Sequence, residues 1–394
     1  MKSSPRLASI DVFRAITMLL MIFVNDLWSV KNVPRWMEHA AGKANAMGLA
    51  DTVFPAFLFI VGLSIPFALQ SRLSHGSSTY RSLMYIFSRS FALLVMGVYY
   101  VNLETYDRSA LFLKPVWQIL ITVGFFLVWL DYPLTIKKYK RLIFQVTGVA
   151  ILIVMAILYK GNHNGSIAGM SPQWWGILGL IGWCYLLVAC IYLLAKENLF
   201  WLTVALLFFT LFNIATHAGM MKFLYPVRQM IWIISDGALP ALTMAGIVTS
   251  VMYRKFAQQE KLKRYTITMA LTGFAMLGIG FALRPLDGIS KIRATPAWIA
   301  ICTGISMLCF VLLIYVVDIK NKRQWFGAIR PAGTSTLTCY LLPYIHYALF
   351  TMVGISLPLF FRTGITGIFK SLAYALLIIM VTGLLEKKRI RLRI

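Results

Sequence analysis

Residues Trp36 to Gly62 read WMEHAAGKANAMGLADTVFPAFLFIVG, a polar loop that runs without a linker into an apolar segment. The loop carries His39, flanked by Glu38 and Lys43. Asp51 then stands at the lip of an apolar run that passes Pro55 and continues to residue 71, long enough to cross a bilayer. A carboxylate at a helix start accepts backbone hydrogen bonds, so Asp51 reads as a cap, and a loop histidine reads as solvated. The same pair beside a membrane entrance also reads as an acid–base site.

The rest of the chain has the same character. Of 394 residues, 59% are hydrophobic and only 13% charged, against about 25% charged in a soluble domain. One water-soluble core cannot hide such an excess, so lipid must solvate much of the surface. About twelve apolar segments follow one another: 9–30, 51–71, 83–102, 115–131, 141–160, 173–195, 199–216, 236–253, 265–283, 296–317, 334–354 and 368–386. Only Lys196, Glu197 and Asn198 part 173–195 from 199–216, so that pair leaves open a count of about eleven. The fold class is therefore all-α, a polytopic membrane helix bundle, with 1–394 as a single transmembrane domain.

A net charge of +25 would suggest nucleic acid in a soluble protein. Here the basic residues cluster between apolar segments, as in cytoplasmic loops beside anionic lipid, so the expected partner is the bilayer and not nucleic acid. With the N-terminus inside, the inner face receives Arg72, Arg81, Lys137, Lys138, Arg254, Lys255, Lys320, Lys322 and the tail Lys387–Arg393. The positive-inside rule then puts both termini in the cytoplasm of an inner or plasma membrane and the His39 loop on the other side. Lys2 and Arg6 precede an apolar run that passes Asn25 and Asp26 with no small-residue cleavage site, which reads as a first membrane helix. Asn164-Gly165-Ser166 matches a glycosylation sequon, a pattern common by chance.

The five cysteines lie in apolar segments without CxxC or His-linked spacing, so disulfides, zinc and thiol catalysis are not expected. P-loop, dinucleotide, zincin and GxSxG motifs are missing as well. What stands out is charge within spans, which ordinarily faces the bundle interior and marks a site. Asp11 and Arg14 lie three apart on one face of the first segment, where they can pair. Arg89 sits several residues inside the third, and snorkelling to the surface competes with a cavity-facing role. His75 and His163 sit in Gly/Ser/Asn-rich loops and read as inert, whereas His217 and His346 lie near helix ends where neighbours can satisfy them.

Three blocks of sequence now carry a family resemblance. Arg6-Leu7 with Ser9-Ile10-Asp11-Val12-Phe13-Arg14 runs on to Met21-Ile22-Phe23-Val24-Asn25; His39-Ala40 is followed by Ala50-Asp51-Thr52-Val53-Phe54-Pro55 and Phe57–Gly62; Arg89-Ser90-Phe91 is followed by Gly97 and Val101-Asn102. Together they resemble the heparan-α-glucosaminide N-acetyltransferase family, membrane enzymes that acetylate a terminal glucosamine with cytosolic acetyl-CoA. Weaker matches follow at Pro115–Gln118, Val316–Asp318 and Gly333–Tyr340, which concentrates the expected catalytic core in residues 1–130. The first helix is more distantly similar to membrane acyltransferases that O-acylate sugars, in which a histidine stands where this chain has Asn25. Departures from the family include a longer His39–Asp51 spacing, about one extra crossing, no large luminal domain, and Pro343 near the place of a histidine, with His346 three residues on.

The resemblance implies acetyl-CoA as donor without a metal, and an amino sugar or oligosaccharide as acceptor. His39 would act as base or transient acetyl carrier and Asp51 would orient it, while Asn25 would polarise the thioester and Asp26 hold the acceptor. Coenzyme A is anionic, so Arg14 and Arg89, then Arg81 and Lys137, are candidates for its phosphates, with Gln118 also in the cofactor path. An O-acetyltransferase of sugars or envelope glycans keeps this chemistry with another acceptor. A secondary transporter is the competing class, although neither paired repeats nor broken helices in matching halves are evident. A homodimer is compatible with either reading.

Overall fold

The computed structural model describes residues 7–394 other than 164, 173, 225–234 and 260. Lys2, Arg6 and Asn164 of the sequon therefore lie outside the described residues. All twelve expected segments coincide with helices: α1 Ala8–Asp26, α2 Ala50–Ser74, α3 Thr79–Val101, α4 Lys114–Trp129, α5 Lys138–Ile157, α6 Gly176–Ala195, α7 Leu199–His217, α8 Ala238–Gln258, α9 Leu262–Ala282, α10 Pro296–Leu313, α11 Thr336–Val353 and α12 Gly364–Lys387. A two-stranded antiparallel hairpin, β1 Gly161–His163 and β2 Ser166–Ala168, interrupts the helical pattern with His163 opposite Ser166.

Among the described residues, ten helices are long and apolar enough to cross a membrane, which makes this an integral membrane helix bundle. The two that fall short do so for different reasons. α4 has only 16 residues. α8 has 21, but they are rich in Ala, Gly, Thr and Ser, and nearly every residue from Ala238 to Val251 is buried in protein. A helix sheathed by its neighbours has no need of the long apolar side chains that lipid demands. α6 and α7 are separate helices joined by a turn in which Lys196 and Glu197 both take left-handed backbone angles.

α8 packs against α2, which continues the opening stretch. At their crossing a Cβ on Gly62 would stand 1.9 Å from the Thr243 carbonyl oxygen, and one on Gly246 would stand 2.1 Å from that of Phe59. Only glycines allow the two backbones to approach so closely. α1 is enclosed by α2, α10, α11, α12 and the short turn Arg330–Thr334. Because α1 ends at Asp26 and α2 begins at Ala50, the His39 loop that joins them lies at one end of the bundle. Arg14 lies toward the other end, about 16 Å below Asn25 at 1.5 Å per residue.

Candidate active site

Asp51 occupies the first turn of α2, yet its carboxylate reaches back into the loop. Oδ1 lies 2.7 Å from His39 Nδ1, while Oδ2 accepts from the backbone N–H groups of Ala40 and Gly48, both at 3.0 Å. From α10, the Trp298 indole N–H donates to the Asp51 carbonyl at 3.1 Å. The side chain of Asp51 is 1% exposed and that of His39 49%. Asp51 therefore does not cap α2, whose first turn has no side-chain cap; its carboxylate holds the loop backbone with one oxygen and the imidazole with the other. A carboxylate has no proton to give, so Nδ1 carries the hydrogen and Nε2 keeps a free lone pair.

Sequence reasoning missed Lys291, from the loop before α10, whose Nζ lies 3.4 Å from His39 Nδ1. Burial pulls the Lys291 ammonium below the ordinary lysine range, and the negative charge of Asp51 partly offsets that effect. A half-buried ammonium near a buried carboxylate balances the charge behind the imidazole.

His39 opens on a cavity of about 510 Å³ that Asn25, Gln118, Trp28, Glu104 and Lys114 also line. Asn25 is exposed there. Gln118 donates from Nε2 to the Tyr344 carbonyl at 2.7 Å, which places it beside the histidine and away from the arginines. Asp26 is not part of the lining. Its Oδ2 takes the Lys370 ammonium at 2.6 Å and its Oδ1 the Tyr347 hydroxyl at 2.6 Å, so its lone pairs are committed inside the bundle. Asp26 ties α1 to α11 and α12 and thereby positions Asn25.

A second cavity of about 900 Å³ occupies the other half of the bundle. Arg14 and Arg89 both line it, together with Arg254 and Arg393, which sequence reasoning did not single out. Arg14 pairs with Asp11 at 3.2 Å, as the spacing of three foretold, and also donates to Ser64 Oγ at 2.6 Å and to the Gly333 carbonyl at 3.2 Å. Arg89 donates to the Tyr85 hydroxyl at 3.3 Å and stands 4.9 Å from the Tyr185 ring centre, and its Nε is buried without a hydrogen-bond partner. Arg254 pairs with Glu197 of the α6–α7 turn. Arg81 and Lys137 line neither cavity: Arg81 is exposed on the first turn of α3, and Lys137 is the residue before α5.

Two other histidines are accounted for by neighbours. His217 Nδ1 lies 2.7 Å from Asp287 Oδ2, and the His346 ring packs against Tyr347, Phe350 and Tyr374.

Residues 6–235, which span α1 to α7, match the family described as a domain of unknown function, DUF5009. The chain belongs to this family. Over 102 residues the chain is 41% identical to human heparan-alpha-glucosaminide N-acetyltransferase, and over 104 residues it is 38% identical to the mouse protein of the same name. Each alignment covers 25% of the chain and only 14% of the relative's length. Both relatives carry the name of the family that the opening blocks resemble, and the DUF5009 match includes the positions of His39, Asp51 and Arg89.

Proposed function

We propose that this DUF5009 protein is a membrane acetyltransferase that moves an acetyl group from coenzyme A in the arginine-lined cavity to an amino-sugar acceptor in the His39 cavity. The observation that carries this reading is a buried-carboxylate–histidine pair opening on one of two cavities that share the lining residue Tyr340. Two alternatives are less well supported: a pure carrier has no need of a tautomer-fixed imidazole, and nothing among the residues that line the His39 cavity favours a hydroxyl acceptor over an amine.

In the forward reaction the acceptor amine attacks the thioester carbonyl carbon, the C–S bond breaks, and the coenzyme A thiolate leaves. His39 Nε2 takes the proton from the attacking nitrogen and returns it to the thiolate, while Asp51 stabilises the transient imidazolium. In a two-step version Nε2 itself first accepts the acetyl group. The Asn25 amide, in the same cavity lining, donates to the carbonyl oxygen as charge develops there. Guanidinium groups of Arg14 and Arg89 suit the phosphates of the donor, and with the basic loops facing the cytoplasm the donor enters from that side. Trp28, 77% exposed, offers a flat apolar face to a sugar ring, and Glu104 and Lys114 offer charges to its substituents. Because α11 lines both cavities and α11 and α12 together hold Asp26, the whole chain acts as one catalytic unit.

The test is release of the coenzyme A thiol from acetyl-CoA by purified protein when glucosamine is added. Turnover that His39→Ala abolishes supports the proposal, and unchanged turnover in that variant overturns it.

A further inference from the structure

The two cavities share one lining residue, Tyr340 of α11. Along α1 their linings are contiguous, with Met18 and Met21 in the arginine cavity and Ile22 and Asn25 in the histidine cavity. Tyr340 stands between them and is 8% exposed. Its hydroxyl lies 3.4 Å from that of Tyr344 one turn on, and Tyr344 in turn lies against Tyr100 of α3, with ring centres 4.0 Å apart. Tyr100 is fixed by a 2.8 Å hydrogen bond between its hydroxyl and Thr122 Oγ1 of α4. Three aromatic rings from two helices thus crowd the boundary of the two cavities, and a third helix holds one of them. Pro343, between Tyr340 and Tyr344, lacks the N–H that would bond the Cys339 carbonyl, so α11 can bend at that point.

We propose that Tyr340 is the specificity-determining residue for the acyl group, forming a throat that passes a two-carbon acyl chain to His39 and stops longer ones. This rests on the donor site proposed above. An acyl thioester bound by its phosphates at the arginine end must bring its carbonyl past Tyr340 to reach Asn25 and His39. Space beyond the ring is bounded by Tyr344 and Tyr100, so each added methylene has to displace aromatic packing. Overpacking of that kind costs about 1–3 kcal/mol, roughly 5- to 150-fold in rate. Tyr340→Ala opens the throat, and Tyr340→Phe keeps the ring that fills it.

The experiment measures kcat/KM for acetyl-, propionyl- and hexanoyl-CoA with glucosamine, alongside calorimetric binding of free coenzyme A. In the wild-type protein hexanoyl transfer should be at least tenfold poorer than acetyl transfer. Tyr340→Ala should raise the hexanoyl-to-acetyl ratio at least tenfold while coenzyme A affinity changes less than twofold, and Tyr340→Phe should keep the wild-type ratio. A ratio that does not move in Tyr340→Ala, or one that moves equally in Tyr340→Phe, overturns the proposal. Should no thioester be turned over, the proposed activity fails, and the throat is then judged by labelling. Asn25→Cys, with the native cysteines replaced by serine, should react with a charged methanethiosulfonate supplied only from the Arg14 side when Tyr340 is also Ala, and not when Tyr340 is retained. Equal labelling in both backgrounds rules out a throat at Tyr340.

Discussion

His39 Nδ1 and Asp51 Oδ1 lie 2.7 Å apart, and both backbone N–H groups that hold the other carboxylate oxygen come from the loop that carries the histidine. Asp51 thus organises the loop and the imidazole together. Asp51→Asn should keep the loop bonds available to its amide oxygen but lose the charge that stabilises imidazolium. The expected drop in kcat is about 10²–10⁴-fold, in the range for loss of acid–base assistance. Coenzyme A affinity, measured by calorimetry, should remain within twofold, because Asp51 is remote from the arginine cavity.

The Arg89 guanidinium lines the arginine cavity with its Nε lacking a partner, whereas Arg81 and Lys137 are outside both cavities. Arg89→Ala should weaken coenzyme A binding about 10- to 100-fold, corresponding to loss of a charge-assisted hydrogen bond worth about 1.5–3 kcal/mol. Arg81→Ala and Lys137→Ala should bind coenzyme A as the wild-type protein does. Equal losses in all three variants would mean that only the field of the basic face matters.

How much of this was legible in the sequence depends on the distance along the chain. Each of the twelve helices was visible as an apolar run, since a helix that faces lipid must be apolar over a fixed length, and even the short α4 and the sheathed α8 keep apolar stretches. Asp11–Arg14 and His39–Asp51 were also legible, the first from helical spacing and the second from resemblance. Lys370, which meets Asp26 from the far end of the chain, carried no local signal, and the same holds for Lys291, Arg254 and Arg393. Their partners are set by which helices adjoin α1 and α2, and hydropathy is silent on that. Arg81 and Lys137 were drawn into the site by charge alone, and a basic residue at a helix entrance is as well explained by topology.

The Asp26–Lys370 pair makes a prediction about stability. The Asp26 side chain is 4% exposed and that of Lys370 14%. Removing one partner of a buried pair leaves an unpaired charge and costs about 3–5 kcal/mol. Lys370→Met should therefore unfold at a markedly lower temperature in detergent, and the double variant Lys370→Met with Asp26→Leu should recover much of the loss. Equal destabilisation in the single and double variants would show that the charges are not energetically coupled.

At the other end of the bundle Asp131, in the α4–α5 loop, meets Arg391 at 2.8 Å and Arg393 at 3.3 Å. Burial alone would raise the Asp131 carboxyl, but the hydrogen bonds and charges of the two arginines outweigh it and hold the group below its ordinary range. A carboxyl depressed in the folded state binds its proton more weakly than in the unfolded chain, so the stability it adds is present above about pH 4. That stability is lost as pH falls through the folded value. Thermal unfolding of Asp131→Asn and the wild-type protein should converge in acid and separate at neutral pH, with the wild type the more stable.

Gly62 closes the opening stretch and lets α2 touch α8. A methyl group there would overlap the Thr243 carbonyl oxygen at 1.9 Å, and that oxygen belongs to a helix backbone that cannot turn aside. Gly62→Ala should therefore part the two helices, at a cost of at least the roughly 1–3 kcal/mol typical of overpacking. Because α2 also presents Asp51, catalysis should fall with stability. Gly278 in α9 supplies the control, since a Cβ there meets nothing within 4 Å. At such a site the better helix propensity of alanine predominates, worth about 0.5–1 kcal/mol. Thermal unfolding in one detergent should rank Gly278→Ala at or above the wild type and Gly62→Ala well below it. If the two variants shifted alike, the α2–α8 contact would not be the close crossing described above.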